Sequence, residues 1–107
     1  MIEDHHLIWL EEVSMNSPVI GKVAKQAHEQ LSLILPPPAA TICGGSPPHS
    51  MIFCSWDRDE HHLELEIYDN GVGEWFYRNR HTAKFWGDDW TIGTPVCKEV
   101  VFTALMF

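Results

Sequence analysis

The stretch HHLELEIYDNGVGEWFYRN, residues 61–79, decides the fold because two alternating segments flank a turn motif. In the first segment Leu63, Leu65 and Ile67 alternate with polar residues, which is the period of a strand with one buried face. The motif Asp69-Asn70-Gly71 follows, and an Asn-Gly pair between two alternating segments predicts a β-hairpin. The residues after it form the returning strand.

The register of this hairpin depends on the length of its turn. A two-residue turn at Asn70-Gly71 places Glu74 opposite Ile67 and brings charge onto the apolar face. A three-residue loop, with the glycine in a left-handed bulge position, places Trp75 opposite Leu65 and keeps that face apolar. We therefore predict the second register. The outer face then carries His62, Glu64, Glu66, Glu74 and Phe76.

The hairpin belongs to a predicted antiparallel sheet over residues 51–87. The first strand is MIFCSW at 51–56, and a short fourth segment is FWG at 85–87. Residues 41–50 are predicted as a loop, and Asp88-Asp89 as a turn. The predicted sheet is a meander of three or four strands.

Helices are predicted over residues 2–13, 17–35 and 95–105, where apolar residues recur at helical spacing. The second and third begin with a cap residue followed by proline, at Ser17-Pro18 and at Thr94-Pro95. Three prolines after the second helix form an extended connector. We therefore predict one domain over 1–107 of the α+β class: a three- or four-stranded antiparallel meander with helices packed on one face.

Length and charge limit the function classes. The chain has 107 residues and carries fifteen Asp and Glu against seven Lys and Arg, for a formal net charge of −8. Such a field repels a nucleic-acid duplex or an anionic membrane and attracts basic partners. Arg78, Arg80 and Lys84 make at most a thin basic patch. We expect a protein partner with a basic surface, and no direct nucleic-acid binding.

The cysteines and the apolar runs predict a location. Cys43, Cys54 and Cys97 are odd in number and lack CxxC spacing, which favours free thiols in a reducing compartment. The first residues, MIEDHHLIWLEEV, carry acid where a signal peptide needs basic residues. No apolar run reaches the roughly 18 residues of a membrane span. The sequence predicts a cytoplasmic protein that does not enter a membrane.

The adjacent His61 and His62 suggest a metal site. Neighbours on a strand point to opposite faces, so both imidazoles do not bind one ion in a regular strand. His62 and Glu64 share a face and are weak candidate ligands, but zinc usually takes three or four protein ligands. A further ligand would come from His49, His81 or Asp57. A polar sheet face is the favoured interpretation, with no metal or cofactor expected.

The outer face is the candidate partner-binding surface. Glu66 lies opposite Glu74 in the predicted register, and like charges across a ladder repel. The cluster is an acid/base pair, a docking surface for a basic partner, or a charged face that keeps an exposed sheet soluble. The predicted partner-binding residues are Glu64, Glu66, Glu74, Phe76, Asp88 and Asp89. Without a GxSxG or similar signature, no catalytic residue is predicted.

The order of features in LPPPAATICGG…MIFCSWDRDEHHLELEIYDNGVGEWFYRNRHTAKFWGDDW resembles a loose group of small bacterial and prophage proteins without assigned activity. In that group a helix leads into a proline step, a strand ending in Trp, an LEIEI-DG hairpin and an aromatic-Arg strand. The resemblance covers residues 17–90 and implies an α+β fold and an accessory role, with no catalytic motif to carry over. The chain departs from the pattern at Asn70 and at Asp88-Asp89.

Three functional hypotheses follow. The first is a non-catalytic acidic protein-binding module that occludes a basic surface of a partner. A phage- or mobile-element-encoded inhibitor (anti-defence, anti-CRISPR-like) or an antitoxin would have this form. The second is a small metal-dependent hydrolase or metal-binding protein that uses His62 and Glu64. The third is a structural homodimer that pairs through an edge strand such as 51–56 or through the terminal helix.

Overall fold

The structure, a computed structural model, describes residues 18–43 and 51–107 of the chain. In chain order its elements are α1 Pro18–Leu31, β1 Ala39–Cys43, β2 Met51–Arg58, β3 His61–Tyr68, β4 Val72–Asn79, β5 Phe85–Thr91 and α2 Lys98–Ala104. The five strands form one antiparallel sheet in the order β1-β2-β3-β4-β5. The predicted α+β class with an antiparallel sheet is confirmed.

The hairpin of β3 and β4 has the predicted register. Leu65 pairs with Trp75, and Gly71 has a φ of +84°. The backbone N–H of Gly71 donates to the carbonyl of Tyr68 at 2.9 Å. Glycine takes this left-handed conformation readily because it has no Cβ. The apolar side chains of both strands share the buried face: Leu63, Leu65 and Ile67 are 0% exposed, and Trp75 is 2% exposed.

The sheet is larger than the three or four strands predicted over 51–87. β1 follows the proline connector, and its last three residues, 41–43, lie in the segment predicted as a loop. β5 continues through Asp88 and Asp89, for which the sequence predicts a turn. Both differences have one cause: a neighbouring strand supplies backbone partners, which outweigh the weak strand propensity of alanine and aspartate.

The segment 51–56 is therefore not a sheet edge. β2 pairs with β1 on one side and with β3 on the other. Its backbone has ladder partners along both sides, so the homodimer hypothesis is wrong in naming this segment as an edge strand that pairs with a second copy.

Helix α1 is shorter than the predicted 17–35. It ends at Leu31, and the chain then turns, with the Leu35 N–H donating to the Leu31 carbonyl at 2.8 Å. Pro36 follows, and the residue before a proline avoids the helical conformation. The predicted helix over 2–13 lies outside the described residues.

Helix α2 begins at Lys98 rather than at residue 95. Its N-cap is Cys97, which makes no side-chain capping hydrogen bond. The Thr94 hydroxyl is the predicted cap, but it donates to the Thr91 carbonyl at 2.6 Å and closes the turn after β5. In the described part of the chain no helix has the length and apolar character needed to cross a bilayer.

One hydrophobic cluster contains buried residues of the sheet and of both described helices. Trp75 contributes a large side chain to it, with ring centroids 6.0 Å from Trp56 and 5.7 Å from Trp90. The cluster consists of Val23, Ala24, Ala27, Leu31, Leu35, Ile52, Cys54, Trp56, Leu63, Leu65, Ile67, Trp75, Trp90, Val100 and Ala104. Strand alternation turns Glu64, Glu66 and Glu74, together with Phe76, to the outer face of the sheet.

Candidate functional site

Three carboxylates form one row across the outer face. Glu66 of β3 pairs with Glu74 of β4, and Glu74 pairs with Asp89 of β5. Neighbouring strands lie about 4.8 Å apart, so the three acidic side chains stand beside one another. We call them the carboxylate row. Like charges directly across a ladder destabilise a sheet. The presence of the carboxylate row is therefore not explained by a contribution to folding stability.

An open concavity lies beside the carboxylate row. Glu64 pairs with Phe76, and Phe76 pairs with Gly87. Phe76 is 39% exposed, and the absence of a side chain at Gly87 lowers the surface next to its ring. The concavity has a volume of about 630 Å³ and is lined by Glu64, Glu66, Glu74, Trp75, Phe76, Gly87, Asp88 and Asp89. All six predicted partner-binding residues therefore border this acidic concavity.

Asp88 differs from the other five residues. It pairs with Trp75, whose side chain is buried, so strand alternation directs Asp88 toward the same face of the sheet as Trp75, opposite the carboxylate row. Its Oδ1 accepts a hydrogen bond from the Asp89 backbone N–H at 3.0 Å. Burial raises the pKa of Cys97, and the Asp88 carboxylate raises it further. Asp88 borders the concavity from the edge strand and does not belong to the carboxylate row.

A histidine at one end of the outer face is held by two carboxylates. Nδ1 of His62 lies 2.6 Å from Asp57 Oδ1, and Nε2 lies 2.7 Å from Glu64 Oε1. Nη2 of Arg80 donates to Asp57 Oδ1 at 2.5 Å and lies 3.2 Å from His62 Nδ1. We call these four residues the histidine cluster. It adjoins the acidic concavity because Glu64 belongs to both.

Hydrogen bonds in the histidine cluster favour the charged forms. Burial lowers the pKa of His62, but the hydrogen bonds to Glu64 and Asp57 and the charges of both carboxylates outweigh it, so the pKa lies above 6.5. The hydrogen bond from His62, followed by that from Arg80, holds the pKa of Asp57 below 3.8. The imidazolium carries a proton on each nitrogen and donates to both carboxylates.

The histidine cluster bears on the metal hypothesis. The two candidate ligands, His62 and Glu64, do lie together. Asp57, which the sequence analysis named as one possible further metal ligand, lies beside them. Their oxygen and nitrogen atoms, however, lie at hydrogen-bond distance from each other. Within 18–43 and 51–107, no group of three or more His, Cys, Asp or Glu side chains is arranged to hold a metal ion.

Two other histidines named in the sequence analysis, His61 and His81, lie outside the histidine cluster. His61 faces the opposite side of the sheet, where its Nδ1 lies 2.6 Å from the Tyr77 hydroxyl. The two adjacent imidazoles thus point to opposite faces, as strand geometry requires. His81 is exposed between β4 and β5, and His49 lies outside the described residues.

The two cysteines whose side chains are described are free thiols with raised pKa values. Burial raises the pKa of Cys54 to about 12, and burial also raises that of Cys97. A nucleophilic cysteine needs a lowered pKa, so neither thiol has the electrostatic surroundings of a reactive one.

Sequence reasoning missed Arg80 as a member of the histidine cluster. The Asp57–His62 pair follows from the two-residue turn at Asp59-Glu60, which sets Arg58 opposite His61 and Asp57 opposite His62. Asp59 has a φ of +54°, a conformation that aspartate tolerates better than most residues. A short polar turn between two strands was the available signal for this pair.

No protein-family model, curated protein or solved structure matches the chain. The resemblance to small bacterial and prophage proteins therefore stays a prediction. The function must be inferred from the geometry and charge of the outer face.

Proposed function

We propose that this protein is a non-catalytic binding protein whose acidic concavity docks onto a basic surface of another protein. The observation that carries the proposal is the carboxylate row beside the exposed ring of Phe76. Lys or Arg side chains of a partner would relieve the repulsion within the row, and their aliphatic stems would cover the ring. An aromatic anchor inside a charged rim is typical of protein interfaces.

Within this class we favour an inhibitor or an antitoxin that occludes a basic surface, of the kind that phages and mobile elements encode (anti-defence or anti-CRISPR-like). Proteins that handle nucleic acid present Lys and Arg in a groove. A small acidic protein is attracted to such a groove at long range and associates with it quickly. We place the protein in the cytoplasm, with both helices on the apolar face of the sheet and the outer face open to the partner.

Charge reversal in the carboxylate row tests the proposal. The variant Glu66→Lys/Glu74→Lys/Asp89→Lys is compared with a control of equal charge change at exposed positions elsewhere, Glu29→Lys/Glu60→Lys/Glu99→Lys. The probe is a labelled oligo-arginine peptide, measured by fluorescence anisotropy at several salt concentrations. We expect the first variant to bind about tenfold or more weaker than the control and with a flatter salt dependence. Equal losses in both variants would reduce the effect to net charge and overturn the proposal.

The aromatic part of the surface is tested separately. Phe76→Ala removes the ring beside the carboxylate row, whereas Phe85→Ala removes a ring that is 73% exposed but does not line the concavity. We expect the first variant to weaken probe binding by about fivefold with unchanged salt dependence, because it removes contact area and no charge. The second variant should bind like the natural protein. Equal effects would mean that Phe76 is not an anchor.

The homodimer hypothesis keeps support from one observation. Helix α2 and the residues after it expose Val101, Phe102, Leu105 and Met106. Sedimentation velocity at several concentrations tests it, with Phe102→Ser/Leu105→Ser as the variant that should abolish any dimer. The metal-dependent alternative has His62 and Glu64 side by side, but among the described residues no group of three or more His, Cys, Asp or Glu could hold a metal ion. Calorimetric titration of chelator-stripped protein with zinc and manganese tests this alternative.

A further inference from the structure

We propose that His62 makes binding at the acidic concavity sensitive to pH. The protonated ring balances the charge of Glu64, and loss of the proton returns that negative charge to the concavity. This inference rests on the proposed function because it concerns regulation of the same site.

The geometry that carries the inference is the position of the His62 ring between charged groups. Nδ1 and Nε2 lie 2.6 Å and 2.7 Å from carboxylate oxygens of Asp57 and Glu64. The His62 side chain is only 17% exposed, so the carboxylates replace much of the water that would otherwise solvate the imidazolium. Glu64 also lines the acidic concavity. A proton on this ring therefore interacts directly with Glu64, which belongs to the binding surface.

The charged groups around His62 come from three strands and the segments next to them. Among the described residues, Asp57 faces it from β2 and Arg78 from β4, since both are its register partners. Glu64 lies two residues along β3. Arg80 follows β4, and Asp59 and Glu60 form the turn before β3. Of these, Asp57, Glu64 and Arg80 are within hydrogen-bond reach of the ring or of its partner.

The two protonation states of His62 differ in the charge of the histidine cluster. With the imidazolium present, the formal charges of its two acids and two bases cancel. After deprotonation the cluster has a net charge of −1. The remaining ring proton stays on Nε2, where it is directed at Glu64. Asp57 still accepts a hydrogen bond from Arg80 after His62 loses its proton, and Arg80 Nη2, 3.2 Å from Nδ1, can donate to the unprotonated nitrogen. The concavity consequently becomes more acidic as the pH rises.

Deprotonation of His62 changes binding affinity and folding stability in opposite directions. The pKa of folded His62 lies above 6.5, so the change in charge occurs above that pH. Protonated His62 stabilises the folded state. This contribution to stability is complete below pH 6.5 and is lost as the pH rises through the folded-state pKa of His62. We therefore expect affinity for a cationic partner to rise across the interval in which the free energy of unfolding falls.

The binding experiment measures oligo-arginine affinity from about pH 5.5 to about pH 8.5, an interval in which neither arginine nor most carboxylates titrate. The natural protein should bind about threefold more tightly at the upper end, the effect of one unit charge at several ångströms in a high-dielectric surface. His62→Gln should abolish this rise. His81→Gln, which removes an exposed histidine outside the cluster, should keep it. An unchanged rise in His62→Gln would overturn the inference.

A second measurement does not depend on the probe. The pKa of His62, followed by NMR from its Cε1–H shift, should lie above 6.5 and should fall in Glu64→Gln. An identical pKa in both proteins would overturn the inference even if every variant folds. Failure of the proposed function is distinguishable, because it would appear as the loss of any difference between the carboxylate-row variant and its control.

Discussion

Two glycines of the β3–β4 hairpin are required for different reasons. A Cβ on Gly73 would lie 2.5 Å from the backbone oxygen of Glu66, so this position is reserved by close approach of two strands. A Cβ on Gly71 would meet nothing within 4 Å, but the φ of this residue is +84°. That position is reserved by backbone conformation. Glycine is therefore required at position 73 because there is no room for a side chain, and at position 71 because of the backbone torsion angle.

We predict that Gly73→Ala destabilises the protein more than Gly71→Ala. The first variant forces a strand backbone to move and should lower the free energy of unfolding by about 3 kcal/mol. The second strains one left-handed residue and should lower it by about 1 kcal/mol. Urea unfolding followed by tryptophan fluorescence measures both. The steric explanation fails if the two variants are equally stable.

At the scale of elements, β5, like β1, has one neighbour among the described strands. It pairs with β4, and its other side has no partner among the described strands. Exposed strand edges invite pairing with a second chain, and charged side chains oppose it. Asp88 and Asp89 lie in the middle of β5, and the Asp88 carboxylate occupies the backbone N–H of Asp89. These aspartates protect the edge in addition to any role in binding.

We predict that Asp88→Val/Asp89→Val causes self-association. Valine favours strands and removes both charges from the edge. Light scattering at increasing protein concentration should show oligomers for this variant and none for Glu29→Val/Glu99→Val, which removes the same charge from the two helices. Identical scattering from both variants would mean that the edge is protected in another way.

The predictability of the elements follows their local signals. The β3–β4 hairpin was predictable, register included, because strict alternation and the glycine at position 71 allow one arrangement with an apolar face. β1 was not, since AATIC is short and begins with two alanines of low strand propensity. The full length of β5 was missed because its aspartates are turn residues by composition. In both cases the strand forms on a neighbour that local sequence does not reveal.

The candidate site was predictable to a similar degree. The carboxylate row follows from the hairpin register for Glu66 and Glu74, but the place of Asp89 beside them requires the pairing of β4 with β5. The link between His62 and Asp57 requires the pairing of β2 with β3. Sequence reasoning identified the residues of the surface and the Glu66–Glu74 pair, but the neighbours of Asp89 and His62 depended on strand registers that it did not assign.

At the scale of the whole molecule, three indoles from different strands pack together in the core. The Trp56 Nε1–H donates to the Pro36 carbonyl at 2.7 Å, and the Trp90 Nε1–H donates to the Thr94 carbonyl at 2.9 Å. Trp75 packs between their rings, but its own Nε1 has no hydrogen-bond partner in the described part of the chain. Trp75 consequently contributes packing without a hydrogen bond.

We predict that tryptophan-to-phenylalanine substitutions differ in cost accordingly. Each variant leaves a similar cavity, but Trp56→Phe and Trp90→Phe also lose a hydrogen bond and should each lower the free energy of unfolding by about 1 kcal/mol more than Trp75→Phe. Trp75→Phe instead relieves a buried N–H that lacks an acceptor. Thermal and urea unfolding measure the three variants side by side. A larger loss for Trp75→Phe than for the other two variants would contradict this ranking.

The order of the five described strands in the sheet is their order in the chain. Every ladder therefore forms between segments that leave the ribosome one after the other, and none has to wait for a distant part of the polypeptide. Small sequence separation between contacting residues favours rapid folding. The sheet can grow one strand at a time during synthesis, with the growing edge always at the newest strand.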